Sequence, residues 1–207
     1  MSLFDRVRQK NKSAFQNEMQ QENYAKHEKK QTTHPMHVEG MAFRYAYCTL
    51  VAMAADIDMP INGMEMRLLT SLMESINLDG GIKEVLLQSN NQGEQIRESL
   101  SVMITEDYQK DVLYTDMIIM CLADSNKLSL KEQLFIENME KLLNLPASHT
   151  ESLKEYIQMR VRCQVREAET FIDELPKLKS FAQRANQYIT SIISVINEPR
   201  RVDIRKS

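Results

Sequence analysis

Tryptophan is absent from the 207 residues, and glycine and proline number only five each. Strands would show alternating apolar and polar residues bounded by Gly/Pro clusters, and no such run occurs, so the composition suits helices better than sheets. An apolar run of the ~20 residues that a bilayer requires is also missing. The longest uncharged apolar stretch is Tyr45 to Ala55. The opening MSLFDRVRQK lacks the apolar stretch of a secretory signal. The three cysteines, Cys48, Cys121 and Cys163, are scattered and form no CxxC pair, which fits a reducing cytosol and small-hydrophobe roles. There is no Gly-rich phosphate loop, no HExxH and no nucleophile elbow. The four histidines, His27, His34, His37 and His149, sit in polar or turn segments away from the acidic motifs described below.

What the chain does have is 43% hydrophobic residues, 14 of its residues methionine, and few helix breakers. Straight-chain residues of this kind favour helices. Charge is unevenly spread. Residues 40–150 carry 16 acidic against 8 basic residues, whereas both flanking segments are mildly basic. An acidic middle argues against nucleic acid and leaves cations, basic protein partners, or basic ends that meet an anionic surface.

Residues 1–38 read as a polar arm, with Leu3, Phe4, Val7, Phe15 and Met19 forming a thin apolar stripe. The arm is expected either to dock on the body or to present a short surface-seeking helix at its start. His34-Pro35-Met36-His37 reads as an extended linker, because the proline disfavours helix before it.

Residues 39–147 read as the main bundle. Phe43, Tyr47, Leu50, Val51 and Ala54 recur at helical spacing over 39–56, and Leu68, Leu69, Leu72 and Ile76 over 63–76. Two short helices are expected at 82–88 and 94–103. A helix over 107–123 carries Leu113, Met117, Met120 and Ala123, and one over 130–143 carries Leu134, Met139 and Leu143 as core positions.

The passages TLVAMAADIDMPINGMEMRLLTSLMESINL and DMIIMCLADSNKLSLKEQLFIENMEKLLNL align with one loop residue of difference. Asp56 falls on Asp124, Glu65 on Glu132, and the closing Asn77-Leu78 on Asn144-Leu145. This internal duplication predicts an all-α, pseudo-symmetric bundle of two repeated helix pairs. Residues 148–207 form a C-terminal helical extension. One apolar stripe runs through Ile157, Val161, Val165, Ala168, Ile172 and Leu175. After Pro176, a second runs through Leu178, Phe181, Ala185, Tyr188, Ile192 and Ile196. These stripes either pack on the bundle or offer a partner or homodimer surface.

The repeated motif is Ala-Asp, a polar loop, Ile or Leu, then Asn/Ser-x-x-Glu. Asn62 with Glu65, and Ser129 with Glu132, have the spacing of capping boxes, with Ile61 and Leu128 as hydrophobic staples. Asp56 and Asp124 sit where a helix dipole disfavours negative charge. Together with Asp58 and Asn126 they shape the loops as Asx-turns or supply oxygens to a hard cation. The spacing is not that of an EF-hand, since Ser129 and Phe135 stand where glycine and glutamate are required.

On these residues the chain resembles the TerB-like family, named after bacterial tellurite resistance, over residues 40–160. The second copy, ADSNKLSLKE, matches more closely than ADIDMPINGME, where Pro60 enters the loop and Asn62 replaces Ser. The resemblance implies a helical bundle without enzymatic chemistry, linked to bacterial stress response, membrane-associated complexes and phage defence. It carries metal binding, with Ca²⁺ or Mg²⁺ as the hard cation, to Asp56, Asp58, Glu65, Asp124, Asn126 and Glu132. It also implies protein partners and a cytoplasmic location, peripheral at the inner membrane. The leading functional reading is thus a binding or scaffold protein. A coiled-coil adaptor acting through residues 150–198 competes with it, and an enzyme using paired carboxylates is the third reading.

Overall fold

The periodic apolar residues produce helices, and no strand occurs among the described residues. In the computed structural model these are 33–78, 81–125 and 127–198. A 3-10 turn, Pro35–Val38, precedes α1 (Met41–Ala55), α2 (Gly63–Ser75), α3 (Ile82–Met103), α4 (Asp107–Cys121), α5 (Leu130–Leu142), α6 (Ala147–Val161), α7 (Val165–Asp173) and α8 (Pro176–Asn197). The expected polar arm with Leu3, Phe4, Val7, Phe15 and Met19 lies outside the described residues, and so does Asn126. No helix among the described residues is long and apolar enough to cross a membrane.

Helix α4 is the axis of the fold. Every residue from Asp111 to Ala123 is buried. The 3-10 turn, α1, α2, α5, α6 and α8 all pack on it. Helix α1 is nearly as enclosed, from Tyr47 to Ala52, and lies along α3. At the start of α3, a Cβ on Gly81 would stand 2.7 Å from the Tyr45 hydroxyl, so glycine permits that close approach. Each large apolar side chain withdrawn from water in this way contributes about 1.5–3 kcal/mol before entropy is counted.

The helix ends explain the repeated Asn-Leu pairs. After α2, Asn77 has φ 59°, its N–H donates to Glu74 O, and Leu78 N–H donates to Met73 O at 2.8 Å. After α5, Asn144 has φ 52°, with matching bonds to Lys141 O and from Leu145 N–H to Glu140 O at 3.0 Å. Both are Schellman stops, in which a left-handed residue turns the last amides back onto free carbonyls. Asparagine tolerates that region better than most residues do.

Several expectations are corrected. Residues 82–103 form one helix rather than two, because contact with α1 carries it through the polar middle. Helix α4 ends at Cys121 rather than 123, so Asp124 stands beyond the last turn, whereas Asp56 is the C-cap of α1. Leu134 is 52% exposed, because α5 turns Phe135, Ile136 and Met139 inward instead. The stripe from Ile157 breaks after Val161, where Cys163 adopts φ 60° and Gln164 N–H returns to Met159 O at 2.9 Å. Val165 is therefore exposed, while Ile157, Ala168 and Ile172 remain buried. The second stripe faces inward from Leu178 to Ile192, with α8 packed on α2, α4 and α6.

His34-Pro35-Met36-His37 is not a linker. His34 and Met36 are fully buried, and the strap is fastened by His34 N–H to Ser75 O at 3.1 Å. Proline at the first position of the 3-10 turn costs no hydrogen bond there, and the His34 ring caps the turn by accepting from Met36 N–H.

Candidate functional site

The two acidic loops meet. Cys121 Sγ contacts Ala54 O at 3.7 Å, which sets the last turns of α4 and α1 side by side. Asn62 Nδ2 then reaches Asp124 Oδ2 at 3.4 Å, and Lys131 Nζ reaches Asp58 O at 3.5 Å. Asp56 and Asp124 are exposed and Asp58 is half-buried.

Both capping boxes are complete. Asn62 Oδ1 accepts from Met64 N at 2.8 Å and Glu65 N at 3.1 Å, while Glu65 Oε2 accepts from Asn62 N at 2.7 Å. Ser129 Oγ accepts from Glu132 N at 3.3 Å, and Glu132 Oε2 accepts from Ser129 N at 2.6 Å. These bonds satisfy amides that an uncapped first turn leaves free. Both glutamates are buried. Burial pushes the Glu65 carboxyl up to about 7, with the negative charges of Asp124, Asp58 and Glu132 adding to it against the stabilising Asn62 amide. Glu132 is raised for the same first reason, and Asp58 and Asp124 add to it.

The structure thus brings together Asp58, Glu65, Asp124 and Glu132 around one junction, with Asp56 at the end of α1. They form no ready-made cation cage. Among the described residues no group of three or more His, Cys, Asp or Glu is arranged to hold a metal ion. The two buried glutamates each turn an oxygen to their own cap, so a cation drawing on them would have to loosen a helix start. Beside the second loop lies an open hollow of about 320 Å³, lined by Lys127, Leu128, Glu137, Lys154 and Arg162 among others. Its lining mixes both charges.

A second polar constellation has no signature in the sequence. Asp116, buried at the middle of α4, accepts from His34 Nε2 at 2.9 Å, from Tyr47 OH at 2.5 Å, and from Tyr188 OH. Met36 N–H donates to His34 Nδ1 at 2.9 Å, which leaves Nε2 to carry the proton it gives to Asp116. The His34 ring stands edge-on to Tyr188, with centroids 4.5 Å apart. Burial first, then the Asp116 charge, holds the Tyr47 phenol well above its ordinary range.

Further along α4, Asp111 accepts from His149 at 2.8 Å, and this bond raises the imidazole against the opposing effect of its burial. Tyr114 donates to Glu140. Arg160, buried on α6, donates to Tyr156 OH, to Asn186 Oδ1 at 2.9 Å and to Thr190 Oγ1 at 2.7 Å, tying α6 to α8. Asp111, Tyr114 and Asp116 on the axis and Arg160 on α6 are thus fasteners between helices, with their hydrogen bonds formed inside the fold.

No family model, no curated protein and no solved structure matches this chain.

Proposed function

We propose that the chain is a non-enzymatic binding or scaffold protein of the TerB-like kind, serving a bacterial stress-response or defence system, and that the junction of its two acidic loops is its recognition surface. The observation that carries this reading is the cross-loop contact of Asn62 with Asp124, next to that of Lys131 with Asp58. It joins two passages with the same capping box and the same Schellman stop, the arrangement expected of a duplicated helix pair folded face to face. The pseudo-symmetric repeat belongs to this proposal.

A protein partner with basic residues suits the exposed Asp56 and Asp124. The Ca²⁺ or Mg²⁺ implied by the resemblance enters as a weak, exchangeable counter-ion, since hard cations want six or more oxygens and the glutamates are held by the helix caps.

The deciding comparison uses the intact chain and an Asp56→Asn/Asp124→Asn variant, which removes the two exposed carboxylates. Partners captured from the native host by the wild type are expected to be lost from the variant, while its thermal melt is unchanged. Unaltered capture by the variant overturns the junction as the recognition surface. Calorimetric titration with Ca²⁺ and Mg²⁺ is expected to give weak heats that the variant lacks. A flat wild-type titration removes the cation and leaves the protein-binding reading to stand on the capture result.

A further inference from the structure

The middle of this chain is acidic, with 16 acidic against 8 basic residues over 40–150, yet the hollow beside the second loop gathers positive charge. Three cations line it, Lys127, Lys154 and Arg162, against one carboxylate, Glu137. Lys154, Gln158 and Arg162 recur at every fourth residue along α6 and its C-cap, so they share one helix face. Gln133 and Glu137 are spaced the same way on α5 and supply its side of the lining. Glu151 and Glu155 line the neighbouring hollow and not this one.

Each cation is held at its base. Ser125 Oγ donates to Lys127 O, which fixes the loop backbone under that lysine. Lys154 is 28% exposed, and its Nζ lies 3.4 Å from Glu140 Oε1. Arg162 N–H donates to Gln158 O at 3.1 Å, and the chain reverses immediately after it at Cys163. Like charges placed around one concavity focus a positive potential into it. The volume, about 320 Å³, falls at the lower end of the range of small-molecule sites.

We propose that this hollow binds a small, soluble phosphate monoester. Such a group carries close to two negative charges at neutral pH and three acceptor oxygens. A guanidinium fork and two ammonium groups are the side chains that recognise it. The Gln158 amide and the Glu137 carboxylate serve hydroxyls on the body of the ligand, the one donating or accepting and the other accepting. The acidic body around the hollow repels a long polyanion or an anionic membrane, and so selects a short, soluble ligand. This site is separate from the acidic junction, and its test reads phosphate rather than partner capture.

The test is calorimetric titration of the full chain with inorganic phosphate, glycerol phosphate and glycerol. Both phosphates are expected to bind, glycerol phosphate the more tightly, and glycerol alone is expected to give no heat. A Lys154→Met/Arg162→Gln variant is expected to weaken glycerol phosphate at least about tenfold, as the loss of charge-assisted hydrogen bonds requires. Lys127→Met, on the exposed loop, is expected to weaken it in the same direction, and gives the reading if the double variant does not fold. Lys83→Met, an exposed lysine of α3 outside the hollow, is expected to change nothing. Absence of binding to the wild type overturns the proposal. So does binding that the Lys83 variant weakens as much as the hollow variants do, which would be charge attraction without a site. Vesicles carrying phosphatidic acid are expected not to capture the chain, and capture that the hollow variants abolish would overturn the soluble ligand in favour of a lipid headgroup.

Discussion

Asn62 does two things at once: its Oδ1 caps helix α2, and its Nδ2 reaches 3.4 Å across to Asp124 in the other loop. The residue that starts one helix therefore also holds the opposite loop in place. Replacing it with Ser would keep the cap, which serine fills as well as asparagine does, and lose the cross-loop contact. Asn62→Ser is thus expected to leave stability within about 0.5 kcal/mol. In the same variant, amide exchange in the second loop should accelerate. A large drop in thermal stability would show that the cross-loop bond matters to the fold itself.

Glu65 gives a pH dependence with a definite sign. Its folded carboxyl is pushed up from 4.5 to about 7, so the folded state holds a proton that the unfolded chain has released. The associated stability is present below about pH 4.5 and is lost as pH rises through 7. Glu65→Gln keeps an oxygen for the Asn62 amide and carries no charge. Its melting temperature relative to wild type should therefore climb between pH 5 and pH 8. A difference that stays constant over that range contradicts the placement of Glu65.

Two leucines that look alike in the sequence should behave differently. Leu72 is 2% exposed, and Leu72→Ala should cost about 2–5 kcal/mol in denaturant unfolding. Leu134 is half exposed, and Leu134→Ala should cost less than about 1 kcal/mol. Equal losses would mean that α5 is rotated from the orientation described.

Tyr188 supplies one of the three donors to Asp116. Tyr188→Phe keeps the ring and removes the hydroxyl, and should cost about 1.5–3 kcal/mol, the range for a hydrogen bond to a charged group. The same change on an exposed tyrosine would be nearly silent. A neutral Tyr188→Phe would show that the carboxylate is satisfied without it.

Cys163 occupies the left-handed position at the end of α6 without being glycine or asparagine. A side chain there costs roughly 1–2 kcal/mol. Cys163→Gly should recover about 0.5–1 kcal/mol of that after the added freedom of the unfolded chain is counted. A decrease in melting temperature would refute the Schellman geometry at this turn.

The parts of the fold that were legible in the sequence are those with local causes. Helices α1, α2 and α5 fall within a residue or two of their expected bounds, because caps such as Asn62–Glu65 and Ser129–Glu132 and stops such as Asn77 and Asn144 act within a few residues. The acidic residues were legible as a motif. Their convergence was not, since Asn62 and Asp124 are 62 positions apart. The Asp116 cluster was invisible for the same reason in stronger form. His34 lies 82 positions from Asp116 and looked like a linker residue beside proline, and only the placing of Asp116 directly before the apolar run Met117–Cys121 could have prompted a search for partners. Leu134 was misplaced because α5 carries apolar residues on adjacent faces, and periodicity alone does not say which of them turns inward.

The hub at Asp116 also imposes an order on the birth of the molecule. Synthesis runs from the N-terminus, so His34 and Tyr47 leave the ribosome before the aspartate and Tyr188 long after it, 72 residues later. A nascent chain that has delivered α1 to α6 has its central helix in hand but lacks both the last donor and the apolar face of α8 that closes over α2 and α4. Final packing then waits on α8. A ribosome stalled before residue 188 holds a chain with an under-bonded carboxylate at its centre, open to chaperones and proteases until α8 has been made.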